Sequence, residues 1–355
     1  MRVVACLFAC LISTLGAYAD PASYSRIVAF GDSLSDNGNL FNNTPPGTPG
    51  RPAFPYFDGR FSNGPTWIEL LSNPAQSSNP DSSMNRFWGG FGFGPPFNVT
   101  GNVNAAIGGA QATGGVIPSV QTQIGLYQLV GGTFGPNDLV SVQGGANDFF
   151  NFFATNPTPT VAALQIFATQ VGVNEAANVS SLIQAGAKTL LVSNLPNIGA
   201  TPSFNGTAAG AAGGQFATTT YNAALNQGVQ QLAALNPRVN LVQMDWFSAL
   251  NVILANPAAF GFTNVKDACT ASLACILSNA QGFLFWDGVH PTAAGHQLLA
   301  EYAALLLSTE QTGRAVGALG QVGLSTRLDA SDILFRRGDR PIRLGRWREN
   351  VRLQQ

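Results

Sequence analysis

The chain has 355 residues, enough for one large domain or two modest ones around a core of ordinary size. Its formal net charge is −1 and only 10% of its residues are charged, which excludes the basic, Lys/Arg-clustered surface of a nucleic-acid binder. Forty glycines and an abundance of Asn, Ser, Thr and Ala suit an exported protein with a polar but weakly charged surface.

At the N-terminus, Arg2 precedes the apolar run VVACLFACLISTLG, and Ala17-Tyr18-Ala19 supplies a small-residue cleavage site before Asp20. This pattern predicts a secretory signal peptide over residues 1–19, cut after Ala19, because the run is too short and wrongly flanked for a membrane span. A lipid anchor at Cys10 fits less well, since Leu-Phe-Ala-Cys matches poorly and comes early. The expected location is therefore secreted, periplasmic or cell-surface. Cleavage removes Cys6 and Cys10 and leaves Cys269 and Cys275, in DACTASLAC. In an oxidising compartment a local disulfide is their natural pairing. With two histidines and no CxxC, the chain lacks the ligands for a four-ligand structural zinc or a three-His catalytic one. No metal or other cofactor is expected.

Further along, short runs rich in Val, Ile and Leu recur at 26–31, 102–107, 138–142, 188–194 and 240–245, each ended by polar or Gly-rich residues. Helical patterns follow at about 161–185, 219–235 and 292–307. This alternation predicts an α/β fold, a three-layer sandwich with a central parallel sheet of about five strands covered on both faces. Ligands in such folds bind outside the carboxyl ends of the strands, which draws Gly31, Gly108 and Gly144 to one edge. Residues 42–65 and 79–101 do not fit the alternation. They are dense in Pro, Gly and Asn, and the second carries Phe87, Trp88, Phe91, Phe93 and Phe97. Exposed, these aromatics would make an apolar wall or lid for a greasy substrate; packed down, they would form an Ω-like insertion. Asn42, Asn98, Asn178 and Asn205 begin N-x-S/T sequons, which count only in a eukaryotic secretory pathway. The end of the chain changes character: residues 327–352 hold eight of the seventeen Lys and Arg residues and four acids. The expected organisation is a catalytic domain over 20–313 and an Arg-rich appendage over 314–355, outside the main core.

Candidate chemistry starts from scarcity. His290 and His296 are the only imidazoles, and both lie in FWDGVHPTAAGHQLL. His296 falls inside the helical run, where ordinary packing or a solvated face is expected. His290 precedes Pro291 at the helix start, with Asp287 three residues earlier. A carboxylate at that distance can fold back onto Nδ1–H, fix the tautomer and stabilise an imidazolium. The bland alternative for Asp287 is a helix cap, although Pro291 at the first helical position already marks the start. A nucleophile is available in Ser33, which follows the first strand, with Gly31 allowing a sharp turn. The GxSxG elbow is absent, since Gly31-Asp32-Ser33-Leu34-Ser35 lacks the second glycine. Donors for a developing oxyanion could come from the Ser33 N–H, from an N–H in IGGAQAT (107–113), and from Asn147 in SVQGGANDFF (141–150). Asp32, Ser35 and Asp36 are read as turn-building residues.

GDSLSDNGN, NAAIGGAQA, GGANDF and FWDGVHPT, in this order, resemble the four signature blocks of the GDSL (SGNH) family of lipases and esterases. VSNLPNIGATP (192–202) resembles a further family segment, and the likeness runs from about residue 26 to about 307. The resemblance implies a serine hydrolase that cleaves carboxylic esters through an acyl-enzyme. By position it implies Ser33 as nucleophile, His290 as base, Asp287 as its orienter, and Ser33, Gly109 and Asn147 as oxyanion donors. Gly109 is preferred to Gly108 because the family's catalytic glycine is typically the fifth residue after the block's Asn, here Asn104. The implied partner is a small-molecule or lipid ester, with transient contact to a lipid surface and no membrane span in the mature chain. The same motifs would serve an acyltransferase or a carbohydrate O-acetylesterase. A secreted binding protein that kept the fold without the chemistry is the alternative outside enzymes, and the intact residue set argues against it.

Overall fold

The computed structural model of the chain describes residues 24–72 and 84–319. The predicted signal peptide, the two leader cysteines and the Arg-rich run at 327–352 lie outside the described residues. Six strands form one parallel sheet: β1 (Arg26–Phe30), β2 (Met84–Arg86), β3 (Asn102–Asn104), β4 (Asp138–Val142), β5 (Thr189–Ser193) and β6 (Asn240–Met244). Their spatial order is β2-β3-β1-β4-β5-β6. Val28 stands opposite Val103 on one side and Val140 on the other. The strand order therefore reverses at β1, and in an open α/β sheet that is where a crevice opens beyond the strand ends.

The helices that accompany the sheet include α1 (Asn39–Asn43), α2 (Trp67–Ser72), α3 (Val120–Leu129), α4 (Ala146–Thr155), α5 (Val161–Gln184), α6 (Ala208–Leu235), α7 (Trp246–Ala255) and α8 (Ala293–Leu319). Alternate strand residues feed two separate cores. Val28, Phe30, Val140 and Val142 pack with Ile124 of α3, Phe149 of α4, Val171 of α5 and Tyr221 of α6. Ile27, Ala29, Leu139 and Leu191 pack with Trp67 of α2, Trp246 of α7 and Tyr302 of α8. Burial on both faces is why these strands read as unbroken apolar runs in the sequence. Ser119, Thr160 and Thr207 cap α3, α5 and α6 by accepting the backbone N–H of Thr122, Ala163 and Gly210.

Three elements depart from the expected boundaries. Helix α6 starts at Ala208, eleven residues before the predicted 219, because Thr207 caps it and packing against α5 overrides the Gly-rich start. Helix α8 starts at Ala293 rather than at Pro291, and it runs across the boundary drawn at 313. The described aromatic stretch, from Met84 on, is packed down on the body, as an insertion would be. Its first described residues form edge strand β2, the sixth of the sheet, followed by an antiparallel hairpin of Trp88–Gly90 and Gly94–Phe97. Phe87 and Trp88 are buried, and Trp88 Nε1 donates to the Ala105 carbonyl at 2.9 Å. Phe93 and Phe97 pack against the same core, and Phe91 is exposed. The large area these rings remove from water holds the segment down.

Candidate active site

Residues 31–36 turn tightly just past β1. Ser35 N and Asp36 N both donate to the Asp32 carbonyl, and Leu34 N donates to Asp32 Oδ1. The turn is clamped from α3, where Gln123 Oε1 accepts the Gly31 N–H at 2.9 Å and its Nε2 donates to the Gly31 carbonyl at 2.8 Å. Glycine is needed at 31 for space: a Cβ there would lie 3.0 Å from the Gln143 carbonyl of the neighbouring strand end. Asp32 reaches that same residue, accepting from Gln143 Nε2 at 2.8 Å. Burial pushes the Asp32 carboxyl up to about 6, against the pull of its hydrogen bonds and of His290.

Ser33 Oγ lies 2.7 Å from His290 Nε2. On the other side of the ring, His290 Nδ1 is 2.7 Å from Asp287 Oδ2 and 2.9 Å from Oδ1. Asp287 Oδ1 also accepts the backbone N–H groups of Val289 and His290, which closes a turn rather than a helix end, because α8 begins only at Ala293; the helix-cap reading of Asp287 therefore does not hold. Burial alone would raise the Asp287 carboxyl, but the charge and hydrogen bonds of His290 and the two backbone donors outweigh it and hold it at about 2. His296 is elsewhere. It is buried, its Nδ1 accepts the Trp67 N–H at 3.2 Å, and burial lowers it to about 3.

Gly109 sits just past β3, with φ +86°, the left-handed region that favours glycine. The Gly108 N–H is taken by Asp36 Oδ2 at 2.8 Å, whereas neither Gly109 N–H nor Ser33 N–H has a partner among the described residues. Asn147 is half-buried near the start of α4, and its Nδ2 donates one bond, to the Ala110 carbonyl at 2.9 Å. One amide hydrogen remains for another acceptor. Ser33, Gly109 and Asn147 thus stand at the ends of β1, β3 and β4.

Sequence reasoning missed three residues that reach this cluster. Tyr56 donates from its hydroxyl to Asp287 Oδ2 at 2.8 Å. Phe61 lies against the imidazole of His290, ring centroids 4.9 Å apart. Asp36 does more than build the turn: it accepts from Gly38, Asn39 and Leu40 as well as Gly108. Tyr56 and Phe61 both come from the aperiodic 42–65 stretch, which carries no pattern to announce a contact. Cys269 and Cys275 form a disulfide that is buried against Trp286, the neighbour of Asp287.

Fold and site together define a carboxylic ester hydrolase of the α/β class. The chain belongs to the GDSL-like lipase/acylhydrolase family, which its residues 27–303 match. It is 27% identical to a phosphatidylcholine-sterol acyltransferase from Aeromonas hydrophila, over 86% of this chain and 96% of that one. It is 26% identical to a GDSL esterase/lipase from Arabidopsis thaliana, over 77% of this chain and 84% of that one. With esterase EstA from Pseudomonas aeruginosa it shares 29% identity over 84% of its own length, and spans half of that protein. Among the described residues no helix is long and apolar enough to cross a membrane.

Proposed function

We propose that ester cleavage proceeds at Ser33 through an acyl-enzyme. The observation that carries this reading is the continuous contact from Ser33 Oγ through His290 to Asp287, each step at 2.7 Å. His290 Nε2 takes the Ser33 proton as Oγ attacks the ester carbonyl, and Asp287 holds the other ring nitrogen as the imidazolium forms. The oxyanion is stabilised by the N–H groups of Ser33 and Gly109 and by the free amide hydrogen of Asn147. Collapse returns the proton to the departing alcohol. His290 then deprotonates a water, which attacks the acyl carbonyl and releases the acid and Ser33.

We further propose that the enzyme acts after export, a reading supported by the leader pattern of residues 1–19 and the Cys269–Cys275 disulfide. The substrates are small-molecule or lipid esters, and exposed Phe54, Phe91 and Val116 support passing contact with a lipid surface. Likeness to an acyltransferase supports a second reading, in which an alcohol replaces water as acceptor. The deciding experiment is a panel of p-nitrophenyl esters graded by acyl length, run on wild type and Ser33→Ala, with products analysed in the presence of an added alcohol. Ser33→Ala is expected to abolish turnover while keeping the fold. Wild-type turnover in that variant would overturn the nucleophile, and ester product in place of acid would favour transfer.

A further inference from the structure

The steps above give Tyr56 no role, yet its hydroxyl meets the same Asp287 oxygen that faces the imidazole. Tyr56 Oη lies 2.8 Å from Oδ2, and His290 Nδ1 lies 2.7 Å from it. The other carboxylate oxygen, 2.9 Å from the same ring nitrogen, accepts the backbone N–H groups of Val289 and His290. The phenol ring is aimed by packing that does not involve its hydroxyl. It stands edge-on to Trp286 at 6.2 Å and to Phe61 at 6.3 Å. Trp286 is itself buried with the Cys269–Cys275 disulfide, and Phe61 lies on the imidazole. Burial first, then the charge of Asp287, push the phenol well above its ordinary range, so it stays a donor throughout the working pH range.

We propose that Tyr56 is a positioning residue for ester hydrolysis: its hydroxyl draws charge from Asp287 Oδ2, locks the carboxylate plane and so sets the strength of His290 as a base. The proposal rests on the reading of Ser33, His290 and Asp287 given above. Its physical content is a division of negative charge. A carboxylate oxygen that accepts from two donors offers less to each, and a neutral phenol stabilises the anion without supplying a counter-charge. With the phenol gone, Oδ2 faces the imidazole alone. The imidazolium is then held more tightly, and more base is needed to free the neutral ring. Two other titratable groups interact with the charge of His290 without bonding to it: Asp32 beyond β1 and His296 on α8. Both remain in place when Tyr56 is changed, so a difference from wild type belongs to the hydroxyl.

The test is Tyr56→Phe, which keeps both ring contacts and removes one oxygen. The acid limb of kcat/KM on a soluble p-nitrophenyl ester is expected to move to higher pH by about half a unit, the size of one modest hydrogen bond. Plateau kcat should fall about three- to tenfold as the imidazole loses its fixed orientation, with KM nearly unchanged. An unmoved limb with unchanged kcat would leave Tyr56 a packing residue and overturn the proposal. Fluorinated tyrosine placed at position 56 provides a second arm with the fold and the contact intact. As a stronger donor it should move the limb to lower pH, and no movement overturns the proposal even where Tyr56→Phe does not fold. Ser33→Ala, measured alongside, separates the two readings. Residual turnover there would sink the nucleophile, whereas an inactive Ser33→Ala beside an unmoved Tyr56→Phe limb would sink Tyr56 alone.

Discussion

Asp36 accepts the Gly108 N–H at 2.8 Å, and this bond distinguishes two adjacent glycines between which the sequence chooses only by family spacing. One N–H is consumed and the other, on Gly109, has no partner among the described residues. The same buried carboxylate takes the N–H groups of Gly38, Asn39 and Leu40, so it ties the start of α1 to the loop after β3. Asp36→Asn keeps one acceptor oxygen and turns an amide N–H₂ toward backbone donors. We expect a loss of about 2–4 kcal/mol of stability and a drop in kcat that exceeds any change in KM. Urea denaturation and steady-state kinetics on the folded variant check both. Unchanged kcat would show that Asp36 does not set the Gly109 loop.

Asn147 bears on the same oxyanion. Its amide is oriented by the bond to the Ala110 carbonyl, and one hydrogen remains free. Asn147→Ala should cost about 10²–10³ in kcat with little change in KM, since the contact forms only as charge develops. Asn147→Asp should cost more, because it adds an anion where an anion must form. An Asp variant as active as the Ala variant would place the oxyanion elsewhere.

The fold and the site differ in how far the sequence discloses them. Strand runs such as RIVAF and DLVSV are legible because burial on both faces makes them continuously apolar, and Ser33, Asp287 and His290 stand out by chemical scarcity and by block order. Strand β2 is not legible: three residues at a sheet edge carry neither period nor length. Nor is Tyr56, whose partner is 231 residues away and whose loop has no periodicity. Asp36 and Asp32 have identical turn-forming chemistry in sequence. Only the packing of the β3 loop against the first turn shows that Asp36 also reaches Gly108.

Glu175 is a buried carboxyl on α5 with no ion pair among the described residues. Oε2 accepts from Asn178 Nδ2 at 2.9 Å, and Oε1 has no partner among the described residues. Burial, with the nearby charges of Asp148 and Asp32, raises it to about 8 against the pull of Asn178. Its folded value lies above the ordinary 4.5, so the native state keeps a proton that the unfolded chain has lost. The associated stability is full below about pH 4.5 and disappears as pH rises through 8. Glu175→Gln cannot ionise. Relative to wild type, it should therefore gain roughly 3 kcal/mol between pH 5 and pH 8. Urea midpoints at the two pH values measure this, and a difference that is independent of pH would show that Glu175 is ionised in the native state at both.

His296 titrates with the opposite sign. It is buried between α8 and the start of α2, accepts the Trp67 N–H through Nδ1, and is lowered to about 3, first by burial and then by the charge of His290. Its folded value lies below the ordinary 6.5, so between pH 6.5 and 3 the unfolded chain binds the proton that the native state refuses. Stability from this group is complete at and above pH 6.5 and falls as pH drops through the window, by roughly 4–5 kcal/mol across it. The native state cannot follow without giving up the Trp67 bond, because a protonated Nδ1 has no lone pair to accept it. In His296→Asn, the side-chain oxygen can take that N–H and does not titrate. The smaller side chain should make the variant less stable than wild type at pH 7.5. That deficit should shrink steadily at pH 6.5, 5.5 and 4.5 as wild type loses its histidine contribution and the variant does not. A deficit that stays constant over the series would mean that His296 takes up its proton as readily in the folded protein as in the unfolded chain, so that neither burial nor the Trp67 contact holds it neutral.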